Sequence, residues 1–204
     1  PTIVGSCDTP SRAVRLAVLD DYAYVAGENS GLRVIDISDP HNPQQEGFLT
    51  GPYAYGVAVA WPYAYVSAAD DGLVIVDITD PALPVLEGSC PTPGYGFNVE
   101  VVGNLAYVAD GPGGGLRIID VSEPSMPTEV GSLDTPGWAY SVAVSGSVAY
   151  VADGDGGLRG IDVSDPSQPV ELGFYDTPSG SGDVVIEANY AYVADASAGL
   201  RVLD

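Results

Sequence analysis

One unit of about 40 residues, a length typical of propeller repeats, occurs five times along this chain. Each copy opens with a proline, and the spacings between successive prolines are 42, 41, 43 and 42 residues. A period of this length, built from short runs that favour strands, is typical of a β-propeller, in which each repeat supplies one blade. The spacing predicts a single domain, 1–204, with five repeats: 1–42, 43–83, 84–126, 127–168 and 169–204.

The unit that begins at Pro127 shows the expected strands most clearly. It reads PTEVGSLDTP, then SVAVS, then VAYVAD, then GLRGIDVSDP. These runs are rich in Val, Ile and Tyr, and the segments between them carry the Asp, Gly, Ser and Pro of turns. No run has the periodicity of an amphipathic helix. The sequence therefore predicts an all-β, five-bladed β-propeller with four antiparallel strands per blade.

The two ends of the chain predict how the ring closes. The last unit stops after GLRVLD, so it supplies three strands of a final blade. Residues 1–9 have the sequence of the fourth strand that this blade lacks. We expect this N-terminal strand to pair with the C-terminal blade and close the ring, because soluble proteins generally cover their sheet edges.

Five short segments resemble the repeat of a known family: GLRVID, GLVIVD, GLRIID, GLRGID and GLRVLD. Each follows an AYV strand, and the first four lead into a turn that reads Ser or Thr, then Asp or Glu, then Pro. This pattern resembles the LVIVD repeat over essentially the whole chain. The resemblance implies a propeller-type fold and a bacterial or archaeal protein that is secreted or displayed on the cell surface. Its motifs are structural and imply no catalytic residue.

The charge of the chain limits its partners. It carries 28 acidic and six basic residues, a net charge of −22. Nucleic acids and anionic membrane surfaces bind clustered positive charge, so neither is expected as a partner. Membrane insertion is not expected either, because no run of about 18 apolar residues is present. Cys7 and Cys90 lie at equivalent positions of non-adjacent units, too far apart for a disulfide with each other, so we expect both thiols to be free or to pair between molecules.

Function is expected where the repeats differ from one another. Before the innermost strand, the second, third and fourth blades carry two aromatic residues each, whereas the first and fifth carry small or basic residues at most of these positions. The aromatic residues are Tyr53, Tyr55, Tyr95, Phe97, Trp138 and Tyr140. Rings near the mouth of the channel, beside carboxylates, can stack on a sugar or hold a peptide. The alternative is an aromatic lid over the channel that binds no ligand.

Acidic residues concentrate in the glycine-rich loops on the same face. Oxygen ligands spaced closely on such turns suit Ca²⁺, the one cofactor that the sequence suggests. The candidates are Asp153 and Asp155 on one tight turn, followed by Asp110 and Asp195 on the equivalent turns. The alternative is that Asp and Gly simply form the turns.

The sequence contains no catalytic motif. The single histidine lies on the other face, and there is no GxSxG motif. Glu100 and Asp183 are the carboxylates that a glycosidase on this fold would use, but the loops are short for such an enzyme.

We expect a non-enzymatic extracellular or cell-surface scaffold that mediates protein interactions, as a homo-oligomer or within a larger surface assembly. The alternatives are a lectin-like propeller that binds extracellular glycans, with calcium as its cofactor, and, third, a glycosidase-like enzyme.

Overall fold

The computed structural model describes all residues of the chain, 1–204, which form five antiparallel blade sheets and one small two-stranded sheet between blades 3 and 4. Blade 1 contains β1 (Arg15–Leu19), β2 (Tyr22–Ala26), β3 (Leu32–Asp36) and β4 (Gln44–Leu49). Blade 2 contains β5 (Gly56–Ala60), β6 (Tyr63–Ser67), β7 (Leu73–Asp77) and β8 (Val85–Cys90). Blade 3 contains β9 (Asn98–Val102), β10 (Leu105–Ala109), the short strand β11 (Gly111–Pro112) outside the main sheet, β12 (Leu116–Asp120) and β13 (Thr128–Leu133).

The last two blades differ in strand number. Blade 4 follows the short strand β14 (Trp138–Ala139) and contains β15 (Ser141–Ser145), β16 (Val148–Ala152), β17 (Leu158–Asp162) and β18 (Val170–Tyr175). Blade 5 contains β19 (Asp183–Glu187), β20 (Tyr190–Ala194) and β21 (Leu200–Leu203), with a 3-10 turn at Ala196–Ala198. No helix is long and apolar enough to cross a membrane. The all-β, five-bladed architecture predicted from the repeats is confirmed.

The strands of each blade run in chain order from the channel to the rim. Consecutive strands pair antiparallel, and the first strand of each blade lies against the first strand of the next blade from β1 through to β19. The fourth strand of a blade comes from the start of the following sequence repeat, so each sheet combines two sequence units. This sharing ties successive repeats together at the rim.

Apolar residues between the blades form the core. Four clusters of buried side chains join blade 1 to 2, 2 to 3, 3 to 4 and 4 to 5. Tyr24, Tyr65 and Tyr107 of the AYV strands are buried in these clusters, and Tyr150 packs against the cluster between blades 4 and 5. Full burial of a Val, Leu or Ile side chain contributes about 1.5–3 kcal/mol. The many such residues in the inter-blade clusters make these clusters the main source of stability.

The aspartate that ends the third strand has a structural role in the first four blades. Each of the first four accepts a hydrogen bond from the backbone N–H two residues later, at 2.8–2.9 Å: Asp36, Asp77, Asp120 and Asp162. In three of them the hydrogen bonds from the following serine lower the pKa of the carboxyl group: Asp36, Asp120 and Asp162. These side chains therefore form the turn toward the fourth strand.

The closure of the ring differs from the prediction. Residues 1–9 form no strand, and β21 pairs only with β20, so blade 5 has three strands and one open edge. The N-terminal segment lies instead against blade 1, where Gly5 meets the turn from Pro40 to Pro43. The prediction that these residues complete the last blade is therefore not met. They pack on the turn of blade 1 and do not pair with β21. Cys7 and Cys90 are free thiols, as expected.

A glycine in the fourth strand sets the distance between neighbouring blades. Gly47, Gly88 and Gly131 each pass so close to the turn of the next blade that a Cβ atom would overlap a proline backbone oxygen. Only glycine fits at this crossing. Gly173 is the equivalent residue of blade 4, and it has open space around it.

Gly131 and Gly173 therefore provide a matched pair of substitutions. Gly131→Ala should lower the free energy of unfolding by about 1–3 kcal/mol, because the new methyl group overlaps the oxygen of Pro166. Gly173→Ala should change it by less than about 0.5 kcal/mol. Urea denaturation of both variants tests this difference, and equal losses in the two variants would contradict it.

Candidate functional site

The six predicted aromatic residues form one continuous cluster, which we call the aromatic arc: Tyr53, Tyr55, Tyr95, Phe97, Trp138 and Tyr140. Contacts between blades continue the arc, because the ring centroids of Tyr55 and Tyr95 are 5.4 Å apart and those of Phe97 and Tyr140 are 5.1 Å apart. Within blades the separations are 5.2–6.1 Å. The structure thus brings together residues that are separated by up to two repeats in sequence.

Short antiparallel bridges between loops position these rings. In each bridge, the loop before the third strand of one blade pairs with the loop that enters the next blade. The paired residues in the entering loops are the small residues Ala54, Gly96 and Ala139. Side chains alternate along an extended segment, so the residues on either side of each small residue project together, and in blades 2, 3 and 4 these residues are aromatic.

The members of the arc differ in how far they are exposed to solvent. Five of the rings are half-buried against one another, whereas the Trp138 side chain is 52% exposed. Ring pairs at these distances contribute about 0.5–1.5 kcal/mol each beyond the area they bury. The arc is therefore a stable aromatic surface with one largely free indole at its end.

A groove of about 560 Å³ begins beside this indole. Trp138 and Tyr140 form its wall, Gly180 and Gly182 line its opposite side, and the exposed Asp155 lies at its edge. The two glycines are the residues of blade 5 at the positions that are aromatic in blades 2, 3 and 4. The groove exists because the arc stops at blade 4.

The other end of the arc is charged. Arg12 and Glu28 form an exposed ion pair with an N–O distance of 3.2 Å, close to Tyr53. Partial burial and the carboxylate of Glu28 both raise the pKa of the Tyr53 hydroxyl, so this phenol stays neutral and can donate a hydrogen bond. The arc therefore runs from an ion pair to a polar groove.

A buried aspartate links the two loops of this face in three blades: Asp110, Asp153 and Asp195. Asp153 accepts hydrogen bonds from the Thr135 hydroxyl at 2.5 Å and from the Gly137 N–H at 2.8 Å, and Nε of Arg159 lies 3.8 Å away. Burial raises the pKa of this carboxyl group, and the two hydrogen bonds oppose that effect. The aspartate acts as an acceptor that joins the loops.

The predicted calcium ligands are not brought together. The carboxylates of Asp110, Asp153 and Asp195 point into separate blades and already have protein partners, whereas Asp155 is exposed. No group of three or more acidic, histidine or cysteine side chains in the structure could hold a metal ion. The sequence places these carboxylates in the loops of one face, but it does not reveal that three of the four side chains are buried.

The repeated arginines also have structural partners. Arg117, Arg159 and Arg201 each lie near the buried aspartate of their own blade, at 2.9–3.8 Å. Two of the arginines also stack on phenylalanine, Arg33 over Phe48 and Arg159 over Phe174. A pair of Arg with the buried Asp is therefore present in blades 3, 4 and 5.

Glu100 and Asp183, the candidate acid pair, line the same cavity of about 350 Å³ in the channel. Glu100 accepts the N–H of Val144 at 2.8 Å, and its burial raises the pKa of the carboxyl group. Asp183 accepts the Ser141 hydroxyl at 2.6 Å and lies 3.4 Å from Arg15. Both carboxylates thus bind groups of neighbouring inner strands, a role that gives each a structural explanation.

Asp153 and Asp155 allow a direct test of the structural role of the buried carboxylates. Asp153→Ala should lower the free energy of unfolding by about 2–4 kcal/mol, because it leaves the Thr135 hydroxyl and the Gly137 N–H without their acceptor and removes a carboxylate 3.8 Å from the buried guanidinium. Asp155→Ala, two residues away on the same turn, should change it by less than about 0.5 kcal/mol. Urea denaturation in EDTA measures both, and a small loss for Asp153→Ala would contradict the account.

Solved structures share the fold at low sequence identity. A chain of a mitotic checkpoint complex matches with a TM-score of 0.82 and 12% identity, over 97% of this chain and 63% of that chain. A protein of unknown function from Desulfotomaculum acetoxidans matches with a TM-score of 0.76 and 14% identity, over 92% of this chain and 64% of that one. The computationally designed Ika8 protein matches with a TM-score of 0.73 and 16% identity, over 94% and 58%. This chain thus spans about three fifths of each.

Comparison with curated protein sequences finds no match. The model of the LVIVD repeat, in contrast, matches five times: residues 11–48, 51–92, 93–135, 136–177 and 180–204. These ranges begin near the innermost strand of each blade and together cover most of the chain. The protein belongs to the LVIVD repeat family.

Proposed function

We propose that this protein is a non-enzymatic binding module of an extracellular or cell-surface structure, and that its aromatic arc holds an extended segment of a partner protein. The observation that carries the proposal is the continuous row of six rings across three blades, which ends at a largely exposed indole. Tyr and Trp are enriched where proteins bind each other, because they offer large contact areas with few rotatable bonds. The proposed location rests on the resemblance to surface and secreted repeat proteins.

Charge favours a basic partner segment. The protein carries a net charge of −22, and an acidic side chain lies near each end of the arc, Glu28 near Tyr53 and Asp155 at the groove beside Trp138. Such a surface accelerates the approach of a positively charged partner and repels an acidic one. Lys or Arg side chains of the partner can also lie over the exposed ring faces. We therefore expect an extended segment with several basic residues.

A glycan is the second candidate ligand, and the groove beside Trp138 favours it. Gly180, Gly182 and Ser179 line a surface without bulky side chains, opposite an indole on which a sugar ring can stack. Asp155 at the edge can accept hydrogen bonds from sugar hydroxyls. Neither candidate requires catalysis.

The fluorescence of Trp138 can report binding directly. The chain has two tryptophans, so Trp61→Phe leaves Trp138 as the single indole emitter. Extended synthetic peptides with basic, neutral or acidic side chains are titrated against this variant, followed by a panel of oligosaccharides. We expect saturable shifts of the emission with basic peptides, and about tenfold or greater loss of affinity in Trp138→Ala by calorimetry.

Trp61→Ala is the matched control, because Trp61 is 61% exposed against 52% for Trp138 but follows the end of β5, at the opposite face. This variant should retain the affinity of the wild type. Saturable binding of oligosaccharides alone, lost in Trp138→Ala, would replace the protein partner with a glycan. Binding that survives Trp138→Ala would show that the arc is a lid over the channel and would contradict the proposal.

A further inference from the structure

The groove beside Trp138 contains a carboxylate that has no partner within the protein. Asp155 lines this groove and is exposed, and it takes part in no hydrogen bond or ion pair. The arginines are the only Lys or Arg residues of the chain, and each contacts other groups: Arg12, Arg15, Arg33, Arg117, Arg159 and Arg201. No cation of the protein itself therefore neutralises the carboxylate of Asp155.

The turn that carries Asp155 lies between the two walls of the groove. On the aromatic side, a Cβ atom at Gly154 would be 3.2 Å from Cε2 of the Tyr140 ring. On the glycine side, a Cβ atom at Gly180 would be 3.4 Å from Oδ1 of Asp155. The carboxylate and the aromatic wall therefore border the same space.

The indole of Trp138 adds an aromatic face to this carboxylate. Tyr140 is covered on one side by Phe97, with 5.1 Å between the ring centroids, whereas Trp138 is 52% exposed. Trp is the best of the aromatic side chains at binding a cation over its face. An exposed ion pair alone contributes little, because water and salt screen it. A cation that contacts the ring and the carboxylate at the same time gains from both.

The protein already places one of its own arginines between a ring and a carboxylate. Cζ of Arg159 lies 4.5 Å from the centroid of the Phe174 ring, and its Nη1 lies 3.5 Å from Oε1 of Glu171. A guanidinium suits such a pair of partners because it is flat, stacks on rings and donates two parallel hydrogen bonds to a carboxylate. The groove offers a ring and a carboxylate of the same kinds without the guanidinium.

We propose that this groove binds one arginine side chain of the partner segment. The proposal rests on the proposed function, in which the aromatic arc holds an extended basic segment. The guanidinium lies over the indole of Trp138 and donates hydrogen bonds to the carboxylate of Asp155. A lysine ammonium is compact and strongly hydrated, so it satisfies this pair of contacts less well. Arginine, rather than positive charge in general, is then recognised at one position of the segment.

Blade 2 provides a matched comparison for Asp155. Asp70 occupies the same position of the equivalent turn and is also exposed. The blade that follows it carries Tyr95 and Phe97 at the positions where blade 5 carries Gly180 and Gly182. Rings therefore replace the two glycines that line the groove at Asp155, and Asp70 is expected to bind no arginine side chain.

Calorimetry with a series of related peptides tests the proposal. The reference is a short peptide in which lysine alternates with threonine, and each lysine is replaced by arginine in turn. Arginine at one position should raise the affinity about tenfold, and citrulline there, which has a similar shape but no charge, should remove this gain. Asp155→Asn should abolish the preference for arginine. Asp70→Asn, with the same change of charge, should keep it.

Gly182→Tyr is a second variant, which fills the groove with a ring and leaves Asp155 in place. Gly182 lies outside the left-handed region, and a Cβ atom there would meet only an ordinary contact, 3.9 Å from the oxygen of Ala194, so the variant should fold. It should lose the preference for arginine, measured as the ratio of the affinities for the arginine and lysine peptides. Circular dichroism confirms that each variant is folded.

The outcomes separate this inference from the proposed function. If the wild type binds the peptides with Trp138-dependent affinity but does not distinguish arginine from lysine, the arc keeps its function and the arginine site is overturned. A preference for arginine that survives both Asp155→Asn and Gly182→Tyr would also overturn the site. Failure of every basic peptide to bind would overturn the proposed function and the arginine site together.

Discussion

The packing of each blade against the next is the interaction on which the rest of the structure depends. A single blade is a small antiparallel sheet with an apolar face on each side, and it cannot bury both faces alone. Four inter-blade clusters cover these faces between blades 1 and 5. The glycine at the rim and the loop bridges near the channel hold neighbouring blades at the distance that this packing requires.

The candidate binding surface follows from the same geometry. The bridges between neighbouring blades align the loops, so aromatic residues that recur once per repeat become neighbours in space. Most of each ring is then buried against the next, which stabilises the loops. Trp138 differs because the next blade carries Gly180 and Gly182 in place of rings. The loss of the repeat pattern in blade 5 thus creates the exposed indole and the groove beside it.

Sequence periodicity predicted the features that depend on one repeat and its neighbour. These include the strands and the proximity of the six aromatic residues. The direction in which a loop carboxylate points is different, because Asp153 turns inward only through partners 16 to 18 residues away in the chain. Closure of the ring depends on the relative orientation of all five blades, and no single repeat records that property.

Hydrogen exchange measured blade by blade tests most directly whether inter-blade packing holds the fold together. In dilute, low-salt protein, β10 and β20 are each hydrogen-bonded to strands on both sides, but blade 3 is covered on both faces and blade 5 on one. The account predicts that amides of β10 exchange much more slowly than those of β20, because opening of blade 3 disrupts two apolar clusters. Equal protection of the two strands would show that stability does not come from packing between blades and would contradict the account.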